Sequence, residues 1–136
     1  MLNKITIMGR LTRDPELRRT GSGVAVTSFT LAVDRDFGGQ NGEKEVDFID
    51  CVAWRQTGEF VSKYFAKGRM AVVAGRLQIR KWKDKDGNNR STAEVVADSV
   101  YFGDSKKDTA ADTTQEHPMP QNDFAPLNYD DDQLPF

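Results

Sequence analysis

This chain of 136 residues contains one cysteine and one histidine, and both scarcities limit its chemistry. The lone Cys51 excludes an intramolecular disulfide and any zinc cluster built from several cysteines. The lone His117 lies in a polar C-terminal region, where a solvated side chain is a more common role than general-base catalysis. The sequence also lacks a phosphate-binding loop and a nucleophile motif. It therefore predicts a protein that is not an enzyme, with no catalytic residue, no metal and no cofactor.

The acidic residues do not change this expectation. Asp47 and Asp50 point to opposite faces of a predicted strand, so they do not form an acid/base pair. The consecutive acids near the C-terminus lack a rigid cage and would hold a metal ion weakly.

Long hydrophobic runs are also missing. No apolar stretch approaches the about 20 residues of a membrane-spanning helix. Residues 1–4 lead directly into an alternating segment, not into a signal peptide. We therefore expect a cytoplasmic protein that does not associate with membranes.

Charge is distributed unevenly along the chain. Residues 1–103 contain 17 Lys and Arg against 13 Asp and Glu, whereas residues 104–136 contain 2 against 8. A mildly basic domain favours an anionic ligand, and an acidic tail indicates a separate role. Because residues 104–129 are also poor in aliphatic side chains, we predict a disordered linker there.

Hydrophobic periodicity predicts the elements of the first 103 residues. Alternating polarity indicates strands at residues 4–11, 24–33, 46–54, 70–82 and about 91–100, with residues 16–19 as a short edge strand or a loop. Between the third and fourth strands, Thr57 can cap a helix that Gly68 ends. Polar segments at residues 37–42 and 84–89 are typical of hairpin connections. An OB-fold has three strands, a helix and two further strands in this order. We therefore predict that residues 1–103 form an all-β, five-stranded Greek-key barrel with one helix.

Alternation in the third strand places large rings outside this barrel. The inward set is small and apolar, as a barrel interior requires, and consists of Ile49, Cys51 and Ala53. The alternate residues then face outward, and they are Phe48, Asp50, Val52 and Trp54. The same reasoning in the fourth strand predicts an inward set and an outward set. The inward set is Ala71, Val73 and Leu77, and the outward set is Arg76, Gln78, Arg80 and Trp82.

Cations lie close to these rings in the sequence. The combination suits single-stranded nucleic acid, because bases stack on the rings while Lys and Arg follow the phosphates. An alternative is that the rings pack under a loop or at a subunit contact. The predicted stacking residues are Phe37, Phe48, Trp54 and Trp82. The predicted phosphate contacts are Lys4, Arg10, Arg35, Arg55, Arg76, Arg80, Lys81 and Lys83.

The last seven residues combine negative charge with apolar surface. Adjacent carboxylates repel one another and stay solvated. Pro135 restricts the backbone, which lowers the entropy lost on docking, and Phe136 offers a ring and a carboxylate to a partner pocket. We predict a protein-interaction tip at residues 130–136. Its contact residues are Asp130, Asp131, Asp132, Leu134, Pro135 and Phe136.

These features resemble the bacterial-type single-stranded DNA-binding proteins, a family encoded by bacteria and phages. The ending resembles the family's Asp-Asp-Asp-(Ile/Leu)-Pro-Phe tip, with Gln133 as a departure. The matching stretches in the domain are Asn3-Lys4-Ile5, Gly9-Arg10-Leu11, Asp14-Pro15-Glu16, the segment from Phe48 to Trp54, Lys67-Gly68, Gly75-Arg76-Leu77, Arg80-Lys81-Trp82 and Glu94-Val95-Val96.

The resemblance implies an OB-fold that assembles as a homotetramer and wraps single-stranded DNA over its surface. It also implies recruitment of replication, recombination and repair proteins through the tip, and a nucleoid-associated location. The family's stacking positions fall on the four rings named above. Phe37 and Phe48 stand where tryptophan is common, and Trp54 stands where phenylalanine is common, so flat rings are kept. The alternative is an OB-fold RNA-binding protein of the cold-shock type, which the crossover helix, the long hairpins and the acidic ending disfavour.

Overall fold

The computed structural model describes residues 1–105, which form six strands and one helix. The strands are β1 (Ile5–Leu11), β2 (Glu16–Arg19), β3 (Ala25–Asp34), β4 (Val46–Trp54), β5 (Met70–Lys83) and β6 (Asn89–Phe102), with helix α1 (Arg55–Tyr64) between β4 and β5. The predicted linker lies outside the described residues except for its first two, and the predicted tip lies entirely outside them. No helix in residues 1–105 combines the length and the apolarity needed to cross a membrane.

The strands close into a barrel through pairing between distant segments. The sheet order is β1-β5-β6-β4-β3-β2, and β1 also pairs with β3 through Arg10 opposite Ala32. Strands β4 and β6 run parallel, whereas the other pairs are antiparallel. The closed cycle of β1, β5, β6, β4 and β3 is the five-stranded barrel of the OB-fold, which confirms the predicted fold class. Residues 16–19 form the edge strand β2, paired with the first half of β3.

Inward side chains of alternating strands fill the barrel. Leu31 of β3 and Cys51 and Ala53 of β4 are almost completely buried. The buried hydroxyl of Thr27 donates a hydrogen bond to the carbonyl oxygen of Gly58 at 2.7 Å, so this polar atom keeps a partner inside the core. Because the predicted inward residues of β4 are the buried ones, the outward assignment of the alternate residues is confirmed as well.

Helix α1 begins and ends earlier than the sequence predicts. Trp54 is the N-cap, and Thr57 lies in the first turn, where its hydroxyl donates to the carbonyl oxygen of Asp98 at 3.5 Å and does not cap the helix. The reason is that β4 leads into α1 without a loop. The helix ends before Phe65, which is extended and buried in the core. Gly68 is not the helix end; with a φ of 87° it belongs to the turn before β5.

Strand β5 departs from the prediction at Leu77. This side chain was placed inside with those of Ala71 and Val73, but it is 43% exposed. The register shift immediately before Gly75 skips Asp98 of β6 and leaves the alternation of β5 intact, so the exposure of Leu77 has another cause. A β-carbon at Gly75 would press against the carbonyl oxygen of Val96, so glycine allows this close approach of the two backbones. After Gly75, β5 pairs with β6 alone, and the two strands form a long hairpin with little core behind it.

Candidate nucleic-acid interface

Strand β4 presents two large rings to solvent. The side chains of Phe48 and Trp54 are 70% and 45% exposed, although β4 is a central strand of the barrel. Phe48 lies opposite Ala32 of β3, which in turn lies opposite Arg10 of β1. Directly opposed residues share one face of a sheet, so Phe48 and Arg10 lie in one row on the outer surface, with β3 between them. The Nη1 of Arg10 donates to the carbonyl oxygen of Gly68 at 3.1 Å, so its guanidinium group is bound before β5 and not at the ring.

The hairpin of β5 and β6 carries a third ring. Trp82 is 42% exposed, and its indole Nε1 donates a hydrogen bond to the hydroxyl of Thr92 at 2.9 Å. Its cross-strand partner is Arg90, and the two line a shallow cavity with Lys81 and Lys83. The ring is therefore oriented by a hydrogen bond and lies beside three cations, of which Arg90 is paired with Asp84 at 3.0 Å.

A depression joins β4 to this hairpin. It is lined by Asp50 and Val52 of β4 and by Arg80 and Thr92 of the hairpin, among others. Because Thr92 also binds the indole of Trp82, the outer surface is continuous from β4 to the hairpin. We call this continuous area the ring surface. It carries Phe48, Trp54 and Trp82.

The loop between β3 and β4 holds the fourth predicted ring apart from these contacts. Phe37 is 87% exposed. The neighbouring Arg35 is bound by two carboxylates: its Nη2 lies 2.9 Å from an oxygen of Asp47, and its Nη1 contacts Glu45. The hydrogen bonds from Arg35 lower the pKa of Asp47, and those carboxylates raise the pKa of Arg35. The negative charges of these two acids offset the positive charge of Arg35. Arg35 therefore attracts a phosphate less strongly than an unpaired arginine would.

The other predicted cations are exposed, and their surroundings differ. Arg55 follows Trp54 with a φ of 57° and lines a groove with it. Arg76 lies in one row with Val52 through Val96, at the edge of the ring surface, and donates to Gln78 at 3.1 Å. Lys4 precedes β1, and no contact described for residues 1–105 places it with the rings.

Three arginines near the rings were missed by the sequence reasoning. Arg13 lines the depression between β4 and the hairpin. Arg18 of β2 lies in one row with Trp54 across β3, although its Nη2 is paired with Glu16 at 2.8 Å. The predicted turn at residues 84–89 would pair Arg90 with Lys83, one position away from its observed partner Trp82, so the sequence places it only near that ring.

This face carries both acidic and basic side chains, and the basic ones outnumber the acidic ones beside the rings. Cys51 does not contribute, because burial raises the pKa of its thiol to about 12. In the described part of the chain, no three His, Cys, Asp or Glu side chains lie close enough together to hold a metal ion. What this face can do is stack flat groups and bind anions between them.

A closed Greek-key barrel with rings and cations on one outer surface defines the class of OB-fold binding domains. Comparison with known proteins then identifies the family. A model of the single-strand binding protein family matches residues 2–103, and the chain belongs to that family.

Curated relatives agree with this assignment. The chain is 41% identical to single-stranded DNA-binding protein 2 of Listeria monocytogenes, and 44% identical to a single-stranded DNA-binding protein of Staphylococcus aureus; both alignments cover 100% of each chain. It is 47% identical to the single-stranded DNA-binding protein of Halalkalibacterium halodurans, over 91% of this chain and 79% of the relative.

Proposed function

We propose that this protein binds single-stranded DNA without strong sequence preference and protects it during replication, recombination and repair. The observation that carries the proposal is the exposure of Phe48, Trp54 and Trp82 on one continuous surface. A ring that served only the core would be buried, whereas these are held outward by β4 and by the bond from Trp82 to Thr92. The printed names of the relatives support the same ligand.

Single strands fit this surface better than duplex does. Stacking on a ring requires a base that is not already stacked and paired, whereas a duplex offers this surface mainly phosphates. Lys81 and Lys83 lie beside Trp82 and would bind the phosphates of the strand, whereas Arg90 is already paired with Asp84 at 3.0 Å. Each phosphate contact releases counterions, so affinity falls as salt increases.

The test compares three ligands of matched sequence and length: single-stranded DNA, duplex DNA and single-stranded RNA. We expect single-stranded DNA to bind far more tightly than duplex, with a negative dependence of log affinity on log salt. Equal affinity for duplex and single strand at moderate salt would contradict the proposal. Tighter binding of the RNA would favour the cold-shock type of function.

We also propose that the chain assembles as a homotetramer, as its family resemblance implies. Exposed apolar side chains support self-association: Met8 and Tyr101 lie in one row across Val72 on the barrel, and Leu77 and Ile79 lie on the hairpin. Association of a second copy with these side chains is favourable, because it removes apolar surface from water.

Sedimentation equilibrium, with and without a long oligo(dT), measures the mass of the assembly. We expect four copies, and we expect Ile79→Glu to weaken the assembly more than Lys85→Glu at the hairpin turn. A stable monomer at micromolar concentration would overturn this part of the proposal.

Partner recruitment is the third part of the proposal, and it concerns residues 130–136. The acids Asp130 to Asp132 steer the segment toward a basic rim, and Phe136 enters an apolar pocket of a replication, recombination or repair protein. Salt weakens the steering because it screens the charges.

A pull-down from bacterial extract with the full chain and its Phe136→Ala variant tests this role. Phe124→Ala is the matched control, since it removes a ring from the same acidic region. We expect only the first change to reduce recovery of helicases, nucleases and recombination mediators, with DNA affinity unchanged or slightly higher. Equal recovery by all three proteins would show that residues 130–136 do not recruit partners.

A further inference from the structure

The loop between β3 and β4 holds the backbone at Phe37 from both sides. The N–H of Arg35 donates to the carbonyl oxygen of Glu45, and the N–H of Gly39 donates to that of Glu43, each at 3.0 Å. These two hydrogen bonds cross the loop, and Phe37 lies between them in the sequence. The side chain of Phe37 is almost fully exposed, so an ordered backbone presents an accessible ring.

The side chain of Arg35 joins the start of this loop to β4. Its Nε and Nη2 donate to the two carboxylate oxygens of Asp47 at 3.0 and 2.9 Å, and its Nη1 donates to the carboxylate of Glu45. Two parallel bonds from a planar guanidinium group to one carboxylate fix both the position and the orientation of the pair. We call Arg35, Glu45 and Asp47 the loop clamp.

The loop clamp lies on the side of the sheet that is opposite to Phe48. In the register of β3 and β4, Val33 lies opposite Asp47 and Ala32 lies opposite Phe48. Val33 packs against the core, so the row of Val33 and Asp47 is inward and the row of Phe48 is outward. Because Arg35 binds Asp47, its guanidinium group is turned away from the row of Phe48. We therefore expect the phosphates of a strand stacked on Phe48 to lie on the other side of the sheet from Arg35.

An ordered loop raises the affinity of the ring that it carries. A base that stacks on a mobile ring must also fix the ring and its loop, and that ordering lowers the affinity. The loop clamp contributes little to the stability of the whole domain, because the side chains of Arg35 and Asp47 are about half exposed and exposed ion pairs are weak. Its main effect is therefore expected at the ring.

We propose that Arg35 is a positioning residue for Phe37, and that it acts through the loop clamp without contacting a phosphate itself. This role differs from the phosphate contact that the sequence predicts for Arg35. The inference rests on the function proposed above, since it concerns how one ring of the protein is presented to a base.

Two substitutions distinguish the two roles, because the roles predict different changes in affinity. Arg35→Lys keeps the positive charge but loses the paired bonds to Asp47, so a phosphate contact would largely survive and the loop clamp would not. Asp47→Asn removes a carboxylate that repels DNA. It would raise the affinity if Arg35 bound a phosphate, since the guanidinium group would then be free, but it weakens the loop clamp.

The measurement is the affinity of the full chain for a long oligo(dT), by fluorescence titration at a salt concentration where binding is readily reversible. We expect each substitution to lower the affinity about 2- to 10-fold, which corresponds to ordering a side chain and its loop on binding. In a Phe37→Ala background neither substitution should lower the affinity further, because the ring that the loop clamp positions is absent.

Asp36→Asn is the matched control. It removes the same charge from the same loop, next to Phe37, but Asp36 does not belong to the loop clamp. We expect the affinity of this variant to be native or slightly higher. Urea unfolding of every variant shows whether the domain remains folded, and we expect midpoints close to that of the native protein.

The outcomes separate this inference from the proposed function. Lower affinity of Arg35→Lys and Asp47→Asn, with no further loss in the Phe37→Ala background, supports the inference. Native or higher affinity of either variant overturns it, as does native affinity of Phe37→Ala alone. An equal loss in the Phe37→Ala background or in the control also overturns it, because the effect would then not pass through the ring. In each of these cases the native protein still binds single strands; if it does not bind the oligomer at all, the proposed function fails as well.

Discussion

Replacing Trp82 by alanine tests the ring surface at its most isolated point. The indole lies on the hairpin after Gly75, where β5 pairs with β6 alone and no barrel core lies behind it. Its one described hydrogen bond joins it to Thr92, on the neighbouring strand. The change therefore removes a proposed stacking platform while leaving the buried side chains of the barrel in place.

The expected loss of affinity follows from the stacking energy that one ring contributes. One base stacked on an aromatic side chain is worth about 1–3 kcal/mol, so affinity for a short oligo(dT) should fall about 5- to 150-fold. The free energy of unfolding should change by less than about 1 kcal/mol, since the side chain is 42% exposed and lies away from the core. The loss of affinity thus exceeds the loss of stability.

Fluorescence titration measures the affinity, because we expect the remaining Trp54 to be quenched when DNA binds. Two further variants separate the contribution of the aromatic ring from that of its hydrogen bond to Thr92. Trp82→Phe keeps a ring but removes the indole donor, and Thr92→Val removes the hydroxyl that accepts from it. Both should fall between the native protein and Trp82→Ala. Urea unfolding of each variant shows whether the domain remains folded.

One result would refute this reasoning. If Trp82→Ala lowered the urea midpoint strongly while the folded fraction bound oligo(dT) with native affinity, the ring would be a structural side chain. The interpretation of the hairpin as part of the interface would then be wrong.

Further predictions concern stability and reactivity. Gly75→Ala should lower the free energy of unfolding by about 2–3 kcal/mol in urea titrations, because its methyl group would press against the carbonyl oxygen of Val96. Cys51 should resist alkylation at pH 8 until the protein is unfolded, because burial raises its thiol pKa to about 12; rapid labelling of the native protein would contradict this. Asp84 should titrate below its ordinary pKa in carboxyl NMR spectra, because the backbone N–H of Asn88, the side chain of Arg90 and the backbone N–H of Asp86 bind its carboxylate. Since its pKa is lower in the folded state, its contribution to the hairpin turn is present above the unfolded pKa and is lost as pH falls through the folded value.

Much of the fold could be predicted from local pattern. The bounds of β4 agree with the alternation of residues 46–54, and the outward positions of Phe48 and Trp54 follow from the small inward residues between them. Alternation suffices there because β4 has neighbours on both edges, so one face must be the core.

The candidate interface could be predicted in part. The four rings and several cations are predicted from their neighbours in the sequence, and the structure shows that all four rings are exposed. Arg13 is not predicted, because it follows β1 and reaches the depression through the contact of that segment with β3, where the N–H of Thr12 donates to the carbonyl oxygen of Thr30. The pairing of Arg35 with Asp47 likewise depends on the register of β3 and β4.

The sequence by itself determined the class of fold, the order of its elements and the exposure of the rings, because these depend on periodicity over a few residues. Only the tertiary structure decided where β5 leaves the barrel, since its pairing with β1 ends where Gly75 lies opposite Ile5, seventy residues away in the sequence. It also decided that α1 starts directly after Trp54. Finally, it placed Asp50 beside Arg80, because a closed barrel brings together strands whose separation in the sequence gives no sign of their contact.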